Sequence, residues 1–168
     1  MIVVIAGVAG SGKTTVGQLL ASRLGWAFAD GDEFHPPANV TKMAAGVPLT
    51  DEDRRPWLRA MMDWIAQRDA AGESAVLACS ALKRRYRDLL RSAGADVGLV
   101  FLVIPHDVDE ARLGLRKGHF FPRQLLDTQY ADLELPQPAE PVLMVPATGA
   151  REEIVAEIIR RLNLQSAS

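Results

Sequence analysis

Residues 7–14 read Gly-Val-Ala-Gly-Ser-Gly-Lys-Thr and match the pattern G-x-x-x-x-G-K-[ST] at every fixed position. Glycines let the backbone curl so that successive N–H groups face an anion. In such a loop, Lys13 reaches the β- and γ-phosphates and the Thr14 hydroxyl binds Mg²⁺. The segment therefore predicts a nucleoside triphosphate site, and a glycine-rich turn without a ligand is the alternative. Its expected binding residues are Gly7, Gly10, Ser11, Gly12, Lys13, Thr14 and Thr15.

Two carboxylates, Asp30 and Asp32, follow the second apolar run of the chain. Open α/β sheets bind ligands at the carboxyl ends of their strands, so both side chains are expected to face the phosphate loop. Phosphoryl transfer needs one group near the metal and one that orients and deprotonates the attacking hydroxyl. We assign Asp30 to Mg²⁺ and Asp32 to the hydroxyl. His35 follows and is expected in the same pocket; the alternative is a turn in which Asp and Gly only cap the next helix.

The third apolar run leads into Cys79-Ser80-Ala81-Leu82-Lys83 and not into a metal-binding aspartate. This argues against switch GTPases and large P-loop motors, and the guanine signature Asn-Lys-x-Asp is absent from the sequence. Ser80 is a candidate to offer its hydroxyl and N–H to substrate, with Lys83 beside it. Cys79 is expected to pack in the core, because a buried strand-end cysteine is seldom a nucleophile.

A basic stretch, Arg116-Lys117-Gly118-His119-Phe120-Phe121-Pro122-Arg123, lies between two helical patterns. Its charge, bounded by Gly and Pro, is typical of a lid that closes over phosphates, and we place this lid at about residues 117–123. Arg116 is assigned a catalytic role and His119 a contact with substrate. Three further arginines lie near predicted ligand loops, with solvated surface positions as the alternative: Arg54, Arg87 and Arg112.

Alternating strand and helix patterns predict a parallel sheet covered on both faces. The expected strands are Ile2 to Ala6, Ala27 to Ala29, Ala75 to Cys79, Gly98 to Val103 and Val142 to Val145. The expected helices are Lys13 to Leu24, Ala81 to Arg91, Asp107 to Arg116 and Arg151 to Leu162. Residues 33–72 exceed any usual α/β connection and predict a helical, substrate-binding insertion. Pro56 is expected in a first turn, so its helix should begin near Asp53.

Composition limits the functions that remain. A chain of 168 residues with 48% hydrophobic content predicts one domain, residues 1–168. A net charge of −2 argues against nucleic acid or an anionic membrane as the main partner. The single cysteine excludes an intramolecular disulfide and favours a reducing cytoplasm. No apolar run approaches the roughly 20 residues that span a bilayer.

Several segments, taken in order, resemble the gluconokinase family, the small P-loop type related in fold to shikimate kinase and the nucleoside monophosphate kinases. The resemblance spans nearly the whole chain and is much narrower than a phosphate loop alone. Its segments are the phosphate loop, Asp30-Gly31-Asp32-Glu33-Phe34-His35-Pro36 with Asn39 and Lys42-Met43, residues 46–58 from Gly46 to Leu58, Cys79 to Lys83 with Tyr86-Arg87-Asp88, and Arg116 to Phe121.

The resemblance implies ATP- and Mg²⁺-dependent phosphorylation of D-gluconate at its 6-hydroxyl, giving 6-phospho-D-gluconate. It implies a three-layer α/β P-loop kinase fold with a five-stranded parallel sheet of order 2-3-1-4-5. Arg112 and the loop containing Thr148 would flank the adenine. Family members are cytoplasmic and frequently dimeric, so a homodimer is an expected assembly. We expect Arg54, or else Arg87, to bind the substrate carboxylate. Kinases of another hydroxy acid such as shikimate, kinases of a nucleotide, and a non-catalytic nucleotide-binding regulator are the alternatives.

Overall fold

The computed structural model describes residues 1–114 and 123–165. Five strands form one sheet in the order β2-β3-β1-β4-β5, and every neighbouring pair is parallel. The strands are β1 (Ile2–Ala6), β2 (Ala27–Asp30), β3 (Ala75–Ala78), β4 (Val97–Val103) and β5 (Val142–Pro146). This order confirms the expected topology. The central strand β1 is wholly buried, as its unbroken β-branched run indicates.

Seven α-helices and one 3₁₀ turn (Gly31–Phe34) accompany the sheet in the described residues. The helices are α1 (Lys13–Leu24), α2 (Pro37–Ala44), α3 (Asp51–Ala70), α4 (Arg84–Arg91), α5 (His106–Gly114), α6 (Arg123–Asp132) and α7 (Arg151–Leu162). Helix α1 packs against α7, and α3 packs against α4, which covers the sheet on both faces. None of the helices in the described residues is long and apolar enough to cross a membrane.

Helix α3 begins at Asp51, two residues before the predicted start. Thr50 caps it: the Thr50 hydroxyl accepts from the Asp53 N–H at 3.1 Å, and the Asp53 carboxylate accepts from the Thr50 N–H at 2.9 Å. Pro56 therefore lies inside the helix, where its missing N–H costs one backbone hydrogen bond. The reciprocal cap and the buried α3 face, which includes Trp57, keep the helix intact.

Helix α4 begins at Arg84 and not at Ala81 as the apolar spacing predicted. Ala81 has a positive φ of 34°, and Lys83 is extended at the helix N-cap. Leu82 is buried although it precedes the helix. Its apolar side chain continued the helical spacing in the sequence, so the predicted start of α4 was too early.

Helices α5 and α6 flank the region predicted as a lid. Helix α5 begins at His106, one residue before the predicted start, and α6 begins at Arg123. Residues 115–122 lie outside the described part of the chain, and they include Arg116, His119 and all but the last residue of the predicted lid.

Candidate active site

The phosphate loop connects β1 to α1, and two of its glycines adopt left-handed backbone conformations. Gly12, the N-cap of α1, has φ 91°, and Gly10 has φ 84°. A Cβ added to Gly10 would lie 2.0 Å from Asp109 Oδ1, so the loop accepts no side chain there. The buried Ser11 hydroxyl donates to the Val8 carbonyl at 2.8 Å and tightens the turn. The loop thus presents its N–H groups at the amino end of a helix, which favours anions.

Lys13 lies at the start of α1 and lines the cavity in front of the loop. Its Nζ donates to the Val8 carbonyl at 2.8 Å. Burial lowers the pKa of Lys13, while the negative charges of Asp32 and other nearby groups act to raise it. A cation held this close to the loop is placed to meet the charge of a bound phosphate chain.

Thr14 and Asp30 meet at the carboxyl end of β2. The Thr14 hydroxyl donates to Asp30 Oδ2 at 2.8 Å, and Asp30 Oδ1 accepts from the Asp32 N–H at 3.0 Å. Asp30 therefore caps the 3₁₀ turn, and it also contacts Thr14 of the phosphate loop. Both interpretations of the sequence, a helix cap and a group that faces the phosphate loop, apply to this residue. A hydroxyl and a carboxylate are hard oxygen donors of the kind that Mg²⁺ takes beside phosphate oxygens, so these two residues fit the ion.

Asp32 is exposed at the cavity, and the protein atoms on its other side desolvate its carboxylate in part. This desolvation and the negative charge of Asp30 raise its pKa, and the positive charge of Lys13 opposes them. A carboxylate with a raised pKa accepts a proton more readily than an ordinary aspartate does. The environment therefore suits Asp32 to the role of a general base.

The cavity in front of the loop measures about 770 Å³. It brings together ten of the residues that we expected at the site: Gly10, Gly12, Lys13, Thr14, Thr15, Asp30, Asp32, His35, Arg54 and Ser80. Among the described residues, those that we expected at the site but that do not line this cavity are Gly7, Ser11, Lys83, Arg87, Arg112 and Thr148. Gly7 and Ser11 still shape the phosphate loop, and Thr148 is exposed on the loop after β5.

His35 stacks on Trp57, with ring centroids 4.8 Å apart and planes inclined by 6°. Burial and the positive charge of Arg54 lower its pKa to about 4, so the ring is neutral at pH 7. Asn39 Nδ2 lies 3.2 Å from His35 Nδ1, which makes that nitrogen the acceptor. The remaining proton is then on Nε2, where it can be donated to a ligand hydroxyl.

Arg54 lies in the first turn of α3 and lines the cavity. Its guanidinium contacts Asp132 of α6, at 2.9 Å between Nη2 and Oδ2, and the Tyr86 hydroxyl, at 3.5 Å from Nη1. Its partner is thus a distant acid and not Asp51 on its own helix turn. Five guanidinium N–H groups leave donors for a second carboxylate.

Lys83 forms part of an ion-pair network behind Arg54. Lys83 Nζ lies 3.1 Å from Asp51 Oδ1 and 3.5 Å from Asp132 Oδ1. Arg85 and Tyr86 also contact the Asp51 carboxylate. These contacts tie together the start of α3, the start of α4 and the end of α6, so Lys83 supports the arginine without reaching the cavity.

Arg87, the second candidate for the substrate carboxylate, lies in the core. Its side chain is wholly buried, Nε and Nη2 donate to Glu140 at 2.6 and 3.1 Å, and Nη1 donates to the Leu82 carbonyl at 2.8 Å. The prediction of a substrate contact was wrong for this arginine, because Glu140, 53 residues away along the chain, already neutralises it.

Removing the partner of this buried cation should destabilise the fold strongly. We expect Glu140→Ala to cost about 3–5 kcal/mol of unfolding free energy, because it leaves the Arg87 charge buried and unpaired. Arg87 lowers the pKa of Glu140, so the contribution is complete above the ordinary glutamate pKa and is lost as pH falls through the lowered value. Urea unfolding at several pH values measures both effects.

Glu157→Ala is the matched control, because Glu157 pairs with Arg161 on the exposed side of α7 at 3.3 Å. An exposed pair contributes less than about 1 kcal/mol. Equal losses for the two variants would contradict the assignment of Arg87 to the core.

Cys79 is buried at the end of β3, and burial raises the pKa of its thiol to about 12. The thiol is therefore protonated at pH 7, which is consistent with a packing role and excludes an activated nucleophile.

Two walls of the cavity were not expected from the sequence. One is apolar and comes from α2 and the connection to α3: Val40, Met43, Ala44, Val47, Pro48 and Leu49. Val40 and Val47 are among the most exposed large apolar side chains of the described residues, at 51% and 45%. The other wall comes from α6: Leu125, Thr128 and Gln129. The apolar residues within the predicted substrate-binding insertion are a sequence signal for the first wall. No local sequence pattern identifies the wall from α6.

Comparisons with known proteins show the family to which this chain belongs. A sequence model of the shikimate kinase family matches residues 9–163. The gluconokinase of Gluconobacter oxydans (strain 621H) is 48% identical over 96% of this chain and 91% of its own. The thermoresistant gluconokinase of Escherichia coli (strain K12) is 44% identical over 94% and 91%.

Among solved structures, that of a gluconokinase from Sinorhizobium meliloti 1021 superimposes with a TM-score of 0.84 at 40% identity and covers 98% of this chain and 97% of that one. Likeness in sequence and in structure therefore extends over nearly the full length, including the phosphate loop, the insertion and the helices around the cavity. The chain belongs to the gluconokinases, a group within the wider shikimate kinase family.

Proposed function

We propose that this protein transfers the γ-phosphoryl group of ATP to the 6-hydroxyl of D-gluconate, giving 6-phospho-D-gluconate and ADP. The observation that supports it most is one cavity lined by both the phosphate loop and a substrate wall. Lys13 and Thr14 of the phosphate loop line it together with Asp32 and Arg54, the residues assigned to the acceptor. A kinase needs these two sets of groups within reach of one another, because the phosphoryl group passes directly between its substrates.

In the transfer step, Asp32 accepts the proton of the 6-hydroxyl while that oxygen forms a bond to the γ-phosphorus. The bond between the γ-phosphorus and the bridging oxygen breaks, and ADP leaves with the electron pair. Lys13 exchanges its contact with the Val8 carbonyl, 2.8 Å away, for the phosphate oxygens on which charge accumulates. The loop N–H groups supply the remaining donors.

Thr14 and Asp30 would hold Mg²⁺, Thr14 directly and Asp30 through water. When bound, the ion neutralises charge on the β- and γ-phosphate oxygens. The contact between Thr14 Oγ1 and Asp30 Oδ2 at 2.8 Å keeps both oxygens beside the loop. The two aspartates of β2 and its following turn therefore have different tasks, although only one residue separates them.

The carboxylate of gluconate is assigned to Arg54, and one of its hydroxyls to the Nε2 proton of His35. A planar guanidinium binds a carboxylate through two parallel hydrogen bonds. A sugar without the carboxylate loses these two hydrogen bonds, while the guanidinium keeps its contact with Asp132 at 2.9 Å, so we expect this contact to discriminate by about 10- to 100-fold.

The insertion (residues 33–72) is the substrate-binding part of this proposal, and residues from about 117 to 123 are its lid. Together with the sheet they form a single P-loop kinase domain. A cytoplasmic location agrees with the single cysteine, which is buried as a free thiol. A homodimer is the assembly to look for in solution.

An assay of ADP release over a panel of sugars, sugar acids, shikimate and nucleotides tests the proposal. Gluconate should be phosphorylated and glucose nearly ignored, although glucose carries the same 6-hydroxyl. A preference for shikimate or for a nucleotide would favour a related kinase, and ATP binding without turnover on any acceptor would favour a regulator.

Arg54→Ala in the same assay tests the contact to the carboxylate. We expect kcat/KM for gluconate to fall about 10- to 100-fold, the effect of losing a hydrogen bond to a charged group, and the gluconate-to-glucose ratio to narrow. Arg55→Ala is the control, since the Arg55 side chain is 72% exposed and pairs with Glu52 on the helix surface. An unchanged gluconate-to-glucose ratio in Arg54→Ala would remove Arg54 from this role.

A further inference from the structure

Helix α6 places a polar side chain against the phosphate loop. Gln129 Oε1 accepts a hydrogen bond from the Ala9 N–H at 2.7 Å, between residues 120 positions apart in the chain. Both residues line the cavity, together with Gly10 and Lys13. Gln129 is therefore in contact with the part of the loop that faces a phosphate chain.

The contact with Ala9 determines how the amide is oriented. A glutamine amide has one oxygen acceptor and one NH₂ donor on the same planar carbon. Because the Ala9 N–H is a donor, it must meet the oxygen, and the NH₂ group is then presented beside it. No residue within 1–114 and 123–165 accepts a hydrogen bond from Gln129 Nε2, so in that part of the chain its two N–H donors have no partner.

The position of Gln129 indicates which end of the phosphate chain it meets. The cavity that it lines also contains Asp32 and His35, the groups assigned to the acceptor substrate. Arg112 and Thr148, the residues expected beside the adenine, do not line this cavity. Gln129 thus shares one cavity with the groups assigned to the acceptor substrate, and the terminal phosphate must meet the acceptor hydroxyl in that cavity.

We propose that Gln129 binds the terminal phosphate of the nucleotide: Oε1 stays on the Ala9 N–H, and Nε2 donates to a γ-phosphate oxygen. The role deepens the proposed phosphoryl transfer and rests on it. Anionic oxygens are strong acceptors for amide donors, and a donor already oriented by the loop needs little reordering when the nucleotide binds.

Two substitutions separate this role from simple support of the loop. Gln129→Glu keeps an acceptor for the Ala9 N–H but replaces the NH₂ donor with a second oxygen that repels phosphate. Gln129→Met removes both the acceptor and the donor at similar size. Gln67→Glu is the control for the added charge, because Gln67 is an exposed residue of α3 outside the cavity.

Calorimetry without gluconate measures the affinities for ATP and for ADP, and their difference reports contacts to the γ-phosphate. We expect Gln129→Glu to weaken ATP binding about 10- to 100-fold, with a much smaller effect on ADP binding. Gln129→Met should weaken ATP binding less than Gln129→Glu does. Gln67→Glu should match the wild-type protein. Gln129→Glu with wild-type ATP affinity, or equal losses for ATP and ADP, would overturn the proposal.

Melting temperatures of the three variants, measured alongside, show whether each is folded. The readout requires no acceptor substrate. Selective loss of ATP affinity would therefore support the γ-phosphate contact even if gluconate proved not to be the substrate, whereas failure of the gluconate assay alone would count only against the proposed function.

Discussion

Asp32→Asn should lower kcat about 10²- to 10⁴-fold while leaving ATP affinity close to that of the wild-type protein. Asparagine keeps the shape of the side chain and removes the group that accepts the 6-hydroxyl proton. ATP affinity should survive because the phosphate loop, Lys13 and Thr14 are unchanged. Steady-state kinetics with gluconate and separate ATP binding measure the two effects.

The pH dependence gives an independent test of the same role. Asp32 must be ionised to accept a proton, and burial together with the charge of Asp30 raises its pKa. Activity should therefore decline on the acid side at a pH above the ordinary aspartate pKa of 3.8, and the residual activity of Asp32→Asn should not show this acid limb.

Asp63→Asn is a matched control, since Asp63 is an exposed residue of α3 outside the cavity, and it should have wild-type kinetics. If Asp32→Asn instead lost ATP affinity, the roles of Asp30 and Asp32 would be exchanged or shared. Their close coupling through the Asp30 carboxylate and the Asp32 N–H, 3.0 Å apart, makes this the outcome to examine first.

Lys13→Ala should lower kcat by about 10²-fold or more. The charge of Lys13 counts mainly while the γ-phosphoryl group separates, because negative charge then increases on its oxygens. The loop glycines and the Thr14 hydroxyl still bind ATP in this variant. The fold decrease in kcat should therefore exceed the fold decrease in ATP affinity. Single-turnover measurement of phosphoryl transfer at saturating ATP and gluconate isolates this effect.

Arg160→Ala removes an exposed cation of α7 and serves as the control for a general change in charge. It should have unchanged kinetics, since it is outside the cavity. A folded Lys13→Ala protein with near-normal kcat would contradict the assignment of residues 7–14 to the phosphate chain, and with it the mechanism proposed for the cavity.

Residues 7–14 show why part of this site was predictable from sequence. The loop is contiguous, and its curvature depends on local backbone angles that glycine permits at positions 10 and 12. The β-branched run before it and the helical spacing after it are local patterns too. Helices α1 and α7 consequently have the predicted bounds, and the strands differ from prediction by one residue at most.

Boundaries were less predictable where side-chain capping competes with apolar spacing. The start of α3 depends on the reciprocal contacts of Thr50 and Asp53, and these outweigh the preference of Pro56 for a first turn. At Ala81 a positive φ delays α4 by three residues. In both places the apolar pattern was correct, and the backbone around it determined where the helix began.

The hydrogen-bond and ion-pair partners of polar side chains were determined only by the tertiary structure. Arg54 and Arg87 were both candidates for the substrate carboxylate, yet the first lines the cavity against Asp132 and the second is buried against Glu140. Gln129 meets Ala9 across 120 residues. Local periodicity determines which face of a helix is buried, whereas the packing of distant elements determines which charge or amide that face meets. The residue patterns thus determined the nucleotide loop and the parallel α/β sheet, the family resemblance implied the order of its strands, and the tertiary structure determined which polar side chains face the cavity.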